Sequence, residues 1–136
     1  MPHRAVVARE MASLLGVLAH PHRVRIIEEL RNGEMDVNSL QDILGVSHSR
    51  VSQHLSVMRS HRIVTERRDG RHVFYRLLHP GLSKWLLDGL VFLSLEQEVG
   101  REIREAVASS IQNWSSETPV RKGNGAVHPA DQKELN

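Results

Sequence analysis

The chain has no cysteine among its 136 residues. That excludes disulfides, thiolate metal centres and thiol redox switches in one step. Aromatic residues are almost as scarce. Phe74, Tyr75, Trp85, Phe92 and Trp114 are the whole set, so aliphatic side chains must build most of any core. Long apolar runs are missing too. Residues 85–95, "WLLDGLVFLSL", carry Asp88 and are too short to span a bilayer, so no membrane partner is expected. The opening stretch "MPHRAVVARE" is charged and lacks the apolar centre of a secretion signal; a cytoplasmic location is the expectation. There is no glycine-rich phosphate loop, no G-x-S-x-G elbow and no H-E-x-x-H motif. The chain is therefore not read as an enzyme, and no cofactor is expected.

Lysine is scarce where arginine is not: three against fifteen. Arginine favours fixed, directional contacts to phosphates and bases. Its distribution is uneven. Residues 50–76 hold Arg50, Arg59, Arg62, Arg67, Arg68, Arg71 and Arg76 against only Glu66 and Asp69, a surplus of five positive charges in a chain whose net charge is +2. Such a concentration is the electrostatic footprint of a nucleic-acid partner, although a solvated basic face is the plainer alternative.

Hydrophobic periodicity divides the chain. Residues 5–18 read as a helix with Val7, Met11, Leu14, Leu15 and Leu18 in one stripe. "HPHR" interrupts it, and Pro21 suits the first turn of a second helix. Val24, Ile27 and Leu30 form that helix's stripe, with Ile26 at the edge, and Gly33 ends it. Asp36 is placed to cap a third helix, 37–44, with Val37, Leu40, Ile43 and Leu44 inward. Gly45 turns the chain, and Ser47 caps a fourth helix, 48–60. Two β-rich runs, "RIVTERR" and "RHVFYRL", flank Asp69-Gly70, a hairpin signal. Pro80 opens a long helical region, apolar on nearly all sides at 85–95 and amphipathic from Glu96 to Trp114, where Val99, Ile103, Val107 and Ile111 align. Gly100 marks a kink or break in it. From Ser115 onward Ser, Pro, Gly and charge dominate. The division is one domain, 1–114, for DNA binding and dimerisation, and a disordered tail, 115–136. The fold class is mainly α with a β-hairpin wing, a winged helix-turn-helix. The greasy stretch 85–95 is read as a dimer interface.

The stretch "VSHSRVSQHLSVMRSH", residues 46–61, holds three of the nine histidines. Around a helical wheel Val51, Leu55 and Met58 define a buried face, with Ser49, Gln53, Ser56 and Ser60 opposite and Ser52, Arg50 and Arg59 on the flanks. Small polar residues edged by arginine suit a helix lying in the major groove, where Gln and Arg pair with base edges. His48 and His54 fall about 120° apart on that wheel, so they do not share one ion. His54 and His61 share a side but supply only two ligands, where zinc normally wants three or four. His54 is read as a half-buried residue beside the core.

The text "LAHPHRVRIIEEL", followed by "LQDILGVSHSRVSQHLSVMRSHRIVTERRDGRHVFYRL", resembles the ArsR/SmtB family of bacterial winged-helix repressors over residues 14–78. The resemblance implies a homodimer built from the first and last helices, with Leu14, Leu18, Leu86, Leu90 and Leu93 at the interface. It implies binding to double-stranded operator DNA carrying an inverted repeat. The contacts it implies are Ser47, Ser49, Arg50, Ser52, Gln53 and Ser56 on the recognition helix, and Arg67, Arg68, Arg71 and His72 on the wing; the helix itself adds His48, in its first turn, and Arg59, on its flank, as expected DNA contacts. Tyr75 would pack the wing on the core, and Arg23 would be structural. The metal sites the resemblance implies are not matched. Asp36 and Asn38 stand where many members have cysteines, and His79, Gly81, Phe92 and Leu95 stand where others have Asp, His, His and Glu. His3, His20, His22 and His79 are the remaining metal candidates; a polar helix start is the plainer reading of His20 and His22. The expected function is a sequence-specific DNA-binding repressor released by an unidentified signal: a small molecule, a metal or a partner protein. Two alternatives stay open: a histidine/carboxylate sensor of nickel, cobalt or zinc, and a winged helix used for protein contacts.

Overall fold

The computed structural model describes residues 2–94 and 100–116. Helix α1 spans Pro2–Leu18, yet only Val17 and Leu18 are buried in it. Most of its apolar stripe therefore meets no partner among the described residues. Helix α2, Pro21–Leu30, starts with proline, whose missing N–H is no loss in a first turn. Its cap is His20, in extended conformation, with Nδ1 accepting from the His22 N–H at 3.1 Å. Ile26 is fully buried with Ile27 and Leu30, not at the edge of the stripe.

A short strand that the sequence pattern does not announce follows: β1, Met35–Asp36. Helix α3, Val37–Leu44, starts directly after it. Asp36 holds the cap position, but its carboxylate makes no capping hydrogen bond. The backbone there is committed to the sheet, with Asp36 opposite Phe74. Gly45 ends α3 at φ 66°, a left-handed conformation natural to glycine, and so makes the tight turn into helix α4, His48–Ser60. Ser47 caps α4, its hydroxyl accepting from the Arg50 N–H at 3.3 Å. Val51, Leu55 and Met58 are fully buried, as the wheel requires.

Helix α4 closes in a Schellman motif, with Ile63 N–H donating to Met58 C=O at 2.9 Å and Arg62 N–H to Arg59 C=O at 3.0 Å. Strands β2, Val64–Asp69, and β3, His72–Leu77, form the hairpin, and the sheet order is β1-β3-β2, all antiparallel. Asp69 pairs with His72, so the loop is Gly70-Arg71, and only Gly70 has positive φ, at 58°. That is the type II′ pattern, in which glycine takes the first loop position.

One core joins the helices to the hairpin: Leu18, Ile26, Ile27, Leu30, Leu40, Val51, Leu55, Met58, Val64 and Leu77. The long C-terminal helical region is broken into α5, Gly81–Gly89, a 3-10 turn, Leu90–Ser94, and α6, Arg101–Ser115. Gly100 caps α6 in extended conformation, so it breaks the helix rather than kinking it. Val107 and Trp114 are buried on α6, and Arg31 donates to the Asn113 carbonyl at 3.2 Å, which ties the end of α6 to the end of α2. Ile103, expected in the same stripe, is exposed. Leu95, Glu96, Val99 and the tail from residue 117 onward lie outside the described residues. No described helix is long and apolar enough to cross a membrane.

Candidate nucleic-acid interface

The turn at Gly45 and the cap at Ser47 set α4 against α3, and the buried stripe of α4 fixes its rotation. Ser49, Arg50, Gln53 and Ser56 are consequently exposed on one face, with Ser47 and His48 exposed at the start and Ser52 half-buried. His48 Nδ1 lies 3.5 Å from Ser52 Oγ. Arg50 makes no ion pair among the described residues, so its guanidinium remains open to solvent.

The hairpin stands beside this helix, and strand alternation gives it two unlike faces. Glu66, Arg68, Val73 and Tyr75 point to the α4 side. With His48, Ser52, Asp36, Asn38, Arg71 and His72 they line a cleft of about 260 Å³. Arg68 and Arg71 are exposed there. Arg67 points to the other face. Its guanidinium is held by Glu34 at 2.6 and 3.2 Å and lies 4.6 Å from the centre of the Phe74 ring. The Arg67 hydrogen bond holds the Glu34 carboxyl below the ordinary range. Arg67 is thus separated from Arg68 and Arg71, whereas His72, whose ring centroid lies 6.2 Å from that of Phe74, borders both faces. Arg59 is also engaged, paired with Glu66 at 2.6 Å. Glu66 accepts from the Tyr75 hydroxyl at 3.0 Å as well; burial first, then this carboxylate, pushes the phenol upward.

Arg23 is structural, as expected, and its partner is specific. Its Nη1 donates to Val17 C=O at 3.0 Å and its Nε to His54 Nδ1 at 3.2 Å. It therefore links the end of α1 to the middle of α4. His54 is half-buried, and burial, followed by the charges of His20, Arg23 and His22, pulls its imidazole below the ordinary histidine range.

His20 and His22 gather around the same ring. The His20–His54 centroids are 4.4 Å apart and the His22–His54 centroids 5.4 Å. The wheel correctly separates His54 from His48, but no helical wheel shows the approach of α2. His3 and His79 are exposed and belong to no such group among the described residues. Of the residues expected at a dimer interface, Leu18 is 4% exposed and lies in the core. Leu14 and Leu86 are half-buried against that core, Leu90 is half-buried, and Leu93 is exposed. Glu34 as the anchor of Arg67 has no signature in the sequence, because it lies far from Arg67 along the chain.

Comparison with known proteins agrees with this geometry. The sequence profile described as "Bacterial regulatory protein, arsR family" matches residues 20–66. The "Biofilm growth-associated repressor" of Xylella fastidiosa is 40% identical over 91 residues, 67% of this chain and 79% of that protein. The "HTH-type transcriptional regulator NmtR" of Mycobacterium tuberculosis is 34% identical over 107 residues, 79% of this chain and 88% of that protein. Among solved structures, NolR from Sinorhizobium fredii superposes with a TM-score of 0.61 at 32% identity, covering 68% of this chain and 92% of that one. With the helix-turn-helix, the wing and relatives of this extent in agreement, the chain belongs to the arsR family of bacterial regulatory proteins.

Proposed function

We propose that this winged-helix transcriptional regulator is a homodimeric repressor that lays α4 in the major groove of an inverted-repeat operator. One observation carries the reading. The face of α4 opposite Val51, Leu55 and Met58 is exposed, small and polar, with Arg50 at its edge and Gln53 at its centre. Gln53 and Arg50 supply base-edge contacts, while Ser47, Ser49 and Ser56 let the helix approach closely. Arg68, Arg71 and His72 stand where phosphates of the adjoining backbone would pass, and His48 sits between the two sets. The name of the Xylella relative supports the repressor assignment.

The dimer assignment rests on apolar surface. Val7, Met11 and Leu15 on α1, and Trp85, Phe92 and Leu93 at the C-terminal side, are each at least 45% exposed. Large apolar side chains exposed in such number point to an interaction face.

The test compares operator DNA with unrelated duplex. The double variant Arg50→Ala/Gln53→Ala should lose operator affinity well beyond its loss on unrelated DNA. Equal losses on both would remove the recognition assignment. Binding that ignores salt would favour a protein-contact module instead, because DNA binders weaken as counterion release loses its drive.

A further inference from the structure

His20 caps α2, His22 stands in its first turn, and His54 comes from the middle of α4. One ring nitrogen from each lies within 4.8 Å of the others. Nitrogens around a tetrahedral zinc-like ion sit about 3.4 Å apart, given bonds of about 2.0–2.1 Å, a gap that small side-chain rotations close. A second observation is independent of that spacing. His22 Nδ1 is buried with no hydrogen-bond partner among the described residues, an uncommon state for a buried polar atom.

We propose that His20, His22 and His54 form a three-imidazole site for a divalent transition metal of the zinc, cobalt and nickel class, joining α2 to the recognition helix. Imidazole nitrogens suit these ions, and three protein ligands leave one position for water or an anion. Coordination through Nδ1 of His22 would give that atom the partner it lacks.

Occupancy carries a structural consequence. The Arg23–His54 hydrogen bond is lost whichever nitrogen of His54 binds. Coordination at Nδ1 takes the accepting lone pair; coordination at Nε2 moves the neutral ring's proton to Nδ1. The His20 cap bond is exchanged in the same way. Ion binding thus replaces the Arg23 link between α1 and α4 with a metal link between α2 and α4, next to Gln53. The site stands apart from the sites that the sequence comparison finds unmatched.

The test is titration of the chelator-treated full chain with Co(II), followed by visible absorption and by Zn(II) competition. The expected result is one tetrahedral-type cobalt spectrum per chain. His22→Gln should weaken binding roughly tenfold or more, since loss of outer-shell partners alone costs that much. His61→Gln should bind as the parent does. Arg23→Met should bind more tightly, because it removes both a competing donor and a nearby cation. Absence of the spectrum, or equal affinity in the parent and His22→Gln, would overturn the site. Should His22→Gln fail to fold, His20→Asn removes a ligand while keeping a good helix cap, and unchanged cobalt binding there overturns the site equally. No DNA enters the readout, so failure here is distinguishable from failure of the operator reading.

Discussion

Beneath α4 the core is closed. Val51, Leu55 and Met58 are completely buried, and the outward face carries serine, glutamine and arginine. At α1 and the 3-10 turn the reverse holds: Val7 is 65% exposed and Phe92 68%. Among the described residues, one helix therefore has its apolar stripe covered and the other does not. The difference lies in what each helix packs upon. Helices α2 and α3 and the hairpin surround α4 and cover its stripe, whereas α1 meets that core only through its C-terminal end, Leu14, Val17 and Leu18. An amphipathic helix left uncovered costs free energy in proportion to its apolar area, so a second body is its natural complement.

Two substitutions should separate these regions with the largest effect. Leu55→Ala opens a cavity in the closed core and should cost about 2–5 kcal/mol of folding stability, read from a urea denaturation midpoint. Phe92→Glu places a charge on the open face and should leave the chain folded while shifting sedimentation towards the monomer. Unfolding of Phe92→Glu on the scale of Leu55→Ala would mean that both regions serve one core.

The second contrast lies within the wing. Arg71 is exposed at the hairpin tip without an ion pair among the described residues, whereas Arg67 is clamped by Glu34 on the opposite face. Arg71→Ala should lower the magnitude of the log-log salt slope for duplex binding by about 0.9, the share of one phosphate contact. Arg67→Ala should leave the slope unchanged. A drop for Arg67→Ala equal to that for Arg71→Ala would show that the Glu34 clamp opens on DNA and that both wing faces make contact.

Legibility in the sequence follows the range of the interactions. The limits of α4, the Ser47 cap, the Gly45 turn and the buried stripe of α4 are local, and spacing alone announces them. Strand β1 is invisible because a pair of residues carries no period, and its pairing partner lies far along the chain. The same holds for Arg67, whose neighbours in sequence suggest a free basic tip while Glu34 and Phe74 restrain it. Asp36 looks like a cap because cap preference is local; the sheet that redirects it is not. The His20–His22–His54 group shows the point most sharply. The wheel of α4 separates its own histidines correctly, and only packing brings in the two from α2.

The smallest effect tests the junction between the closed core and the wing. Arg62 follows α4 with φ at 56°, the one non-glycine residue with positive φ among the described residues. It holds the position in the Schellman motif that glycine normally fills. The left-handed conformation costs a side-chain-bearing residue roughly 1–2 kcal/mol. Glycine removes that strain but gives back roughly 0.5–1 kcal/mol in chain entropy. Arg62→Gly should therefore stabilise the chain by at most about 1.5 kcal/mol, seen as a higher urea midpoint at unchanged slope. Arg62→Ala keeps the β-carbon and should show no such gain. A gain in glycine alone ties the effect to the backbone of the turn between α4 and β2. An equal response from alanine and glycine would show that the strain at Arg62 contributes nothing to stability.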